Sequence, residues 1–282
     1  MLHRSVAGLT ISYDPAEQET ADLIAAACEH SLAVIREAWG FDPPAECRLY
    51  VMTDWRSFFF QSAPWSWRIL LALSYPLWRP RVQRSWPYAA AWTQRYGRRV
   101  AIGIKPSRLL EKSERRIGSM VYIEEPDLTV RVRQLTCHEL AHAAMAHLKL
   151  PAWLNEGLAH ATVDRFLGKR VIRAETVAMI RDFEPKGPPL SYRELSRAKL
   201  ETIAYTTIRG YWIVRYLQHT SPEVLPRLLA ACERDPAHAA HPERQIAADL
   251  GMDPERFWEE IDGVIAACCA AHGGAGHHAM AD

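Results

Sequence analysis

One stretch leaves this chain little conformational freedom. From Val130 to Leu150 the residues favour helix, Pro151 stops it, and Ala152 to Leu167 favour a second helix that Gly168 ends. Proline cannot continue a helix, and glycine just past the last turn takes the left-handed cap that other residues resist. The first helix contains His138-Glu139-Leu140-Ala141-His142. Histidines at i and i+4 leave one helix face, close enough for both imidazoles to reach a single ion at about 2 Å. Glu139 lies one position round, where its carboxylate can accept a proton without being a ligand. Ala141, Ala143, Ala144 and Ala146 would let neighbouring elements come close to this helix.

A hydrolytic zinc site of this kind needs a third protein ligand and an open fourth position. The pattern HExxHxxGxxH would place Gly and His where this chain has Met145 and Leu148, so that route is closed. A second helix returning antiparallel after Pro151 would instead set Glu156 against the two histidines, which makes Glu156 the best third ligand. His160 or Asp164 could orient a ligand from behind. Cys137 is off the i, i+4 face and reads as a small buried residue.

The run HELAH followed by Pro151-Ala152-Trp153-Leu154-Asn155-Glu156-Gly157-Leu158-Ala159 resembles the gluzincin metallopeptidases, specifically the compact peptidase MA-like relatives of the aminopeptidase and leukotriene-hydrolase branch. The resemblance implies a zincin-like fold and one Zn2+ held by His138, His142 and Glu156. It also implies that Glu139 is the general base in peptide-bond hydrolysis. Thirteen residues separate His142 from Glu156, so a shortened connection is expected. The similarity extends through Ala204 to Leu217, where the family's oxyanion-binding tyrosine would be Tyr205, with Tyr211 as substitute. Nothing matches the Gly-x-Met-Glu-Asn edge-strand motif of the large aminopeptidases, and the corresponding stretch, Tyr96 to Lys105, is basic. Thermolysin-like enzymes carry Asp where this chain has His160. Two rival readings stay open: a catalytically silent zincin-fold binding or regulatory protein, and a membrane-docked scaffold with structural zinc.

The expected fold class is α+β, with a small mixed twisted sheet, an active-site helix and a mainly helical C-terminal half. Strands are predicted at Leu9 to Tyr13, Cys47 to Met52, Arg99 to Ile104 and Met120 to Glu124. Asp14-Pro15 with Glu17 reads as a capping box opening a helix whose apolar stripe is Ile24, Ala27, Cys28, Leu32, Ile35 and Trp39. Later helices are predicted near Ile203 to His219, Pro222 to Cys232 and Pro254 to Cys269. The expected organisation is an α+β lobe over 1–129, a helical zinc-binding lobe over 130–271 and a disordered tail over 272–282.

A net charge of +1 offers no field for gripping a polyphosphate, so nucleic acid is not an expected partner. A peptide or protein substrate is. The six cysteines form no CxxC pair and read as reduced thiols. With no secretion signal recognised and no apolar run long enough to span a bilayer, a cytoplasmic location is expected. One segment is unusual: from Trp55 to Leu110 there is no Asp or Glu, while six of the ten tryptophans fall there among many arginines. It reads either as a flap whose tryptophans pack inward or as an interfacial loop, Trp65 to Arg79, making a peripheral membrane contact.

Overall fold

The computed structural model describes residues 1–113, 118–184 and 186–273. The chain forms two compact units, Met1–Gly118 with Glu124–Ala144, and Ser119–Ile123 with Met145 onward. The sequence-drawn boundary at 129/130 therefore lies inside the first unit. The expected tail lies outside the described residues from residue 274 on.

The first unit contains β1 (Leu2–Val6), β2 (Leu9–Tyr13), α1 (Gln18–Trp39), β3 (Cys47–Val51), α2 (Trp55–Ser62), α3 (Trp65–Leu73), α4 (Tyr75–Ser85), β4 (Ala91–Tyr96), β5 (Arg99–Ile104) and α5 (Ser107–Ser113). After α6 (Gly118–Val121) comes α7 (Leu128–Met145), which belongs to this unit through Ala144. The strands make one mixed sheet in the order β1-β2-β3-β5-β4, parallel through β2, β3 and β5 and antiparallel at both edges. The α+β class and the small mixed sheet are as expected.

Register assigns the two faces. Ile11 pairs with Leu49 and Leu49 with Ile102, and all three are fully buried on one face. On β4, Thr93 stands opposite Ile102 and so points the same way, toward α7. On the other face Tyr50, Met52, Tyr96 and Ala101 pack with Phe58 and Ala63 around α2. Gly103 makes this contact close, because a Cβ there would sit 2.8 Å from the Phe58 ring. The six apolar positions read from the sequence of α1 are all buried.

Several expectations are corrected. Asp14 caps only a 3-10 turn over Pro15–Glu17, and Glu17 bonds Arg108 (Nε to Oε1, 2.9 Å) instead of closing a capping box. The edge strands β1 and β4 were not foreseen, and the expected edge at Tyr96 to Lys105 is mostly β5, which lies inside the sheet. Met120 to Glu124 is no strand: its sheet contact is the single bridge Tyr122–Ile172, which offers too few ladder hydrogen bonds to extend further. The Trp/Arg-rich segment opens with the three helices α2 to α4 and also carries β4 and β5. Asp54 starts it by accepting from Ser57 N at 2.8 Å, and Trp55, Phe59, Tyr75, Trp78, Trp86 and Trp92 make a connected aromatic cluster.

The second unit is helical: α8 (Ala152–Leu167), α9 (Thr176–Asp182), α10 (Tyr192–Leu195), α11 (Leu200–Thr220), α12 (Val224–Arg234), α13 (Pro236–Ala240), α14 (Pro242–Leu250) and α15 (Phe257–Gly273). The helical half was expected, though α9, α10, α13 and α14 were not. The backbones of α8 and α11 touch. A Cβ on Gly157 would lie 2.3 Å from the Gly210 carbonyl oxygen, and one on Gly210 would lie 1.8 Å from the Trp153 oxygen. Only hydrogen fits at either position.

Candidate metal centre

The HExxH segment lies in the body of α7, with Cys137, Leu140, Ala141, Ala143 and Ala144 fully buried. The small residues let the helix lie flush in its surroundings, which leaves His138 and His142 on their own stripe. Their Nε2 atoms are 3.0 Å apart and the rings are nearly perpendicular, at 87°. Two nitrogens bound at about 2.0–2.1 Å to one tetrahedral ion would be separated by little more than this. Met145 and Leu148, at the places of a metzincin's glycine and histidine, are buried apolar residues.

Beyond α7 a 3-10 turn over Ala146–Leu148 leads to Lys149, whose φ of 55° reverses the chain, and Pro151 precedes α8. This turn returns Glu156 to the histidines. One ligand atom from each of His138, His142 and Glu156 lies within 4.8 Å of the others. These are donor types that zinc takes, and together they form a possible metal-binding group. From Ala152 through Asp164, only Asn155 and Glu156 are not buried. Gly157, the neighbour of Glu156, packs against the Gly210 backbone of α11, and successive residues stand about 100° apart round a helix, so the glycine and the glutamate turn to different sides of α8.

Two residues at this site were not foreseen. Thr93 donates its hydroxyl to Glu139 Oε2 at 2.6 Å, fixing a carboxylate that is itself buried. The strand that carries Thr93 was not expected, and nothing in the sequence indicated which helix Thr93 would meet. Tyr192 donates to Glu156 Oε1 at 3.0 Å and accepts from Asn155 Nδ2 at 2.8 Å. Ser191 and Glu194 form a capping box that sets Tyr192 at the first turn of α10, a signal present in Ser-x-x-Glu.

The expected tyrosines are placed elsewhere. The Tyr205 hydroxyl donates to Asp262 Oδ2 at 3.2 Å, and its ring stacks on Phe183 at 3.8 Å. Tyr211 is fully buried and donates to Asp164 Oδ2 at 2.7 Å. Burial pushes both phenols well above their ordinary pKa. Each ties down an interior carboxylate, and Asp262 also takes Arg209 (Nε to Oδ1, 2.8 Å) and Lys186 (Nζ to Oδ2, 3.2 Å). Asp164 accepts from Val171 N at 2.9 Å, and burial raises its carboxyl to about 6. It anchors the segment after α8, while His160 Nε2 lies 3.3 Å from the Tyr122 hydroxyl. All six cysteines are free thiols.

No known protein family, curated protein or solved structure matches the chain.

Proposed function

We infer that the chain is a zinc-dependent hydrolase of gluzincin type, with a zincin-like fold, that cleaves peptide bonds. The observation carrying this reading is the His138–His142–Glu156 group with Glu139 one residue off its axis, buried and oriented by Thr93. Three protein donors among the described residues, where a closed structural site takes four, support an open, hydrolytic centre.

His138, His142 and Glu156 would hold the zinc, which when bound supplies Lewis acidity that makes a water nucleophilic near neutral pH. Glu139 accepts the proton of that water and passes it to the leaving amine. Thr93 holds the Glu139 carboxylate in place through Oε2. Tyr192, exposed at 47%, holds Glu156 through Oε1 and keeps its phenol near the reacting region, a role Tyr205 cannot fill from its bond to Asp262.

An extended peptide suits the surroundings of Glu139. β4 is a sheet edge among the described residues, and Lys105 N bonds Ala90 O. The register that follows turns the backbone amides and carbonyls of Ala91, Thr93 and Arg95 outward. A peptide backbone adding to this edge runs past the residue that touches Glu139.

The test is hydrolysis of a mixed pool of internally quenched peptides by the metal-loaded protein. Cleavage that stops with 1,10-phenanthroline and returns on adding Zn2+ is expected; a zinc-loaded protein that cleaves no member of the pool would contradict the reading. A second expectation concerns Tyr192. Removing its hydroxyl in Tyr192→Phe should weaken zinc binding about 10-fold or more, as loss of a partner behind a metal ligand commonly does. Competition with a chromogenic chelator measures this, and unchanged affinity would separate Tyr192 from the site.

A further inference from the structure

Helices α3 and α4 carry an apolar surface that the other described residues leave uncovered. Neither helix has a single buried residue. Trp65, Ile69 and Leu73 follow one another at four-residue spacing and are 75%, 53% and 78% exposed, and Leu77 on α4 is exposed to 78%. A row of large apolar side chains on one side of a helix belongs against something apolar.

The surface is held in place rather than loose. Trp78 packs on Trp55, Phe59 and Tyr75, with ring centroids 5.7, 5.3 and 5.3 Å away, and its indole N–H donates to Leu71 O at 3.1 Å. Arg68 reaches back to the end of α2, Nε to Ala63 O at 2.9 Å and Nη2 to Gln61 O at 3.2 Å. Trp78 and Arg68 therefore fix the two helices, and the outward residues are displayed.

Charge identifies the occupant. Leu77, Arg81 and Arg84 fall at i, i+4 and i+7, which continues the apolar row into an exposed basic one. Arg79 is exposed as well, and no acidic residue occurs from Trp55 through Leu110 to repel an anionic surface. Exposed tryptophan and leucine beside exposed arginines match the headgroup layer of an anionic bilayer. The nine residues of α3 extend only about 14 Å, too short to span a bilayer, and no described helix is long and apolar enough to cross a membrane. We propose that the α3–α4 segment docks this protein on an anionic lipid surface. The proposal stands on residues separate from the metal centre.

Flotation of the full-length protein tests it, using phosphatidylcholine vesicles and vesicles of equimolar phosphatidylcholine and phosphatidylglycerol. The wild type should float with the mixed vesicles alone, and less as salt is raised. Leu73→Asp/Leu77→Asp should abolish flotation while leaving the thermal unfolding midpoint in place, since both side chains are already in water. Arg81→Gln and Arg84→Gln should each weaken it about fivefold, the equivalent of about 1 kcal/mol per basic residue at such a surface. A wild type that floats with neither vesicle, or equally with both, would overturn the proposal. So would a concentration-dependent dimer in light scattering that disappears in Leu73→Asp/Leu77→Asp, because the apolar row would then belong to a second copy of the chain.

Discussion

Glu139→Gln should retain zinc and lose hydrolysis by about 10²–10⁴-fold, the range that loss of a positioned acid–base group produces. The amide keeps the shape of the carboxylate and can still accept from the Thr93 hydroxyl, which now reaches Glu139 Oε2 at 2.6 Å. It cannot take a proton from water. Stability should hardly change, because the exchange leaves the buried position filled and hydrogen-bonded. Turnover of a cleaved peptide, zinc content and the unfolding midpoint, measured on one preparation, separate these effects. A variant with full zinc and full turnover would remove Glu139 from the reaction; one that lost its zinc would make it a ligand instead.

Gly210→Ala should be the most damaging single methyl group in the helical unit. Its Cβ would meet the Trp153 carbonyl oxygen at 1.8 Å, backbone against backbone, so no side-chain rotation relieves the clash. α8 and α11 must separate, and the cost is expected to reach about 3 kcal/mol, the upper range for overpacking a filled interior. The unfolding midpoint should fall by about 10 °C. Glu156 lies beside the contact, next to Gly157, so zinc affinity should fall as well. Gly263→Ala, where nothing lies within 4 Å of an added Cβ, provides the control. An unchanged midpoint in Gly210→Ala would mean that the two helices do not touch as described.

How much of this was legible depends on how local each signal is. The histidine pair and Glu139 follow from helical geometry alone, and Pro151 with Gly168 bounded α8 correctly. Glu156 needed only a short reversal, which Lys149 makes in the left-handed region. The apolar stripe of α1 was readable because one periodicity decides it. Tyr205 and Tyr211 were misplaced because a tyrosine in a helix carries no mark of its partner. Asp262 and Asp164, which hold them, are 57 and 47 residues away in sequence. Tyr192 and Thr93 were overlooked for the same reason, lying 36 and 46 residues from the carboxylates they hold. In the acid-free segment Trp55 and Trp78 pack inward, as one reading expected, while Trp65, Leu73 and Leu77 face out.

The central claim, that two imidazoles and the Glu156 carboxylate converge on one ion, is tested most directly by the zinc content of purified protein. Wild type, Glu156→Ala and Glu37→Ala, an exposed control on α1, would be dialysed against a weak chelator and assayed by atomic emission. One zinc per chain in wild type and in Glu37→Ala, with less than a tenth remaining in Glu156→Ala, is the expected result, since a three-donor site is left with two. Wild-type protein without stoichiometric zinc, or a Glu156→Ala variant that keeps its full complement, would contradict it.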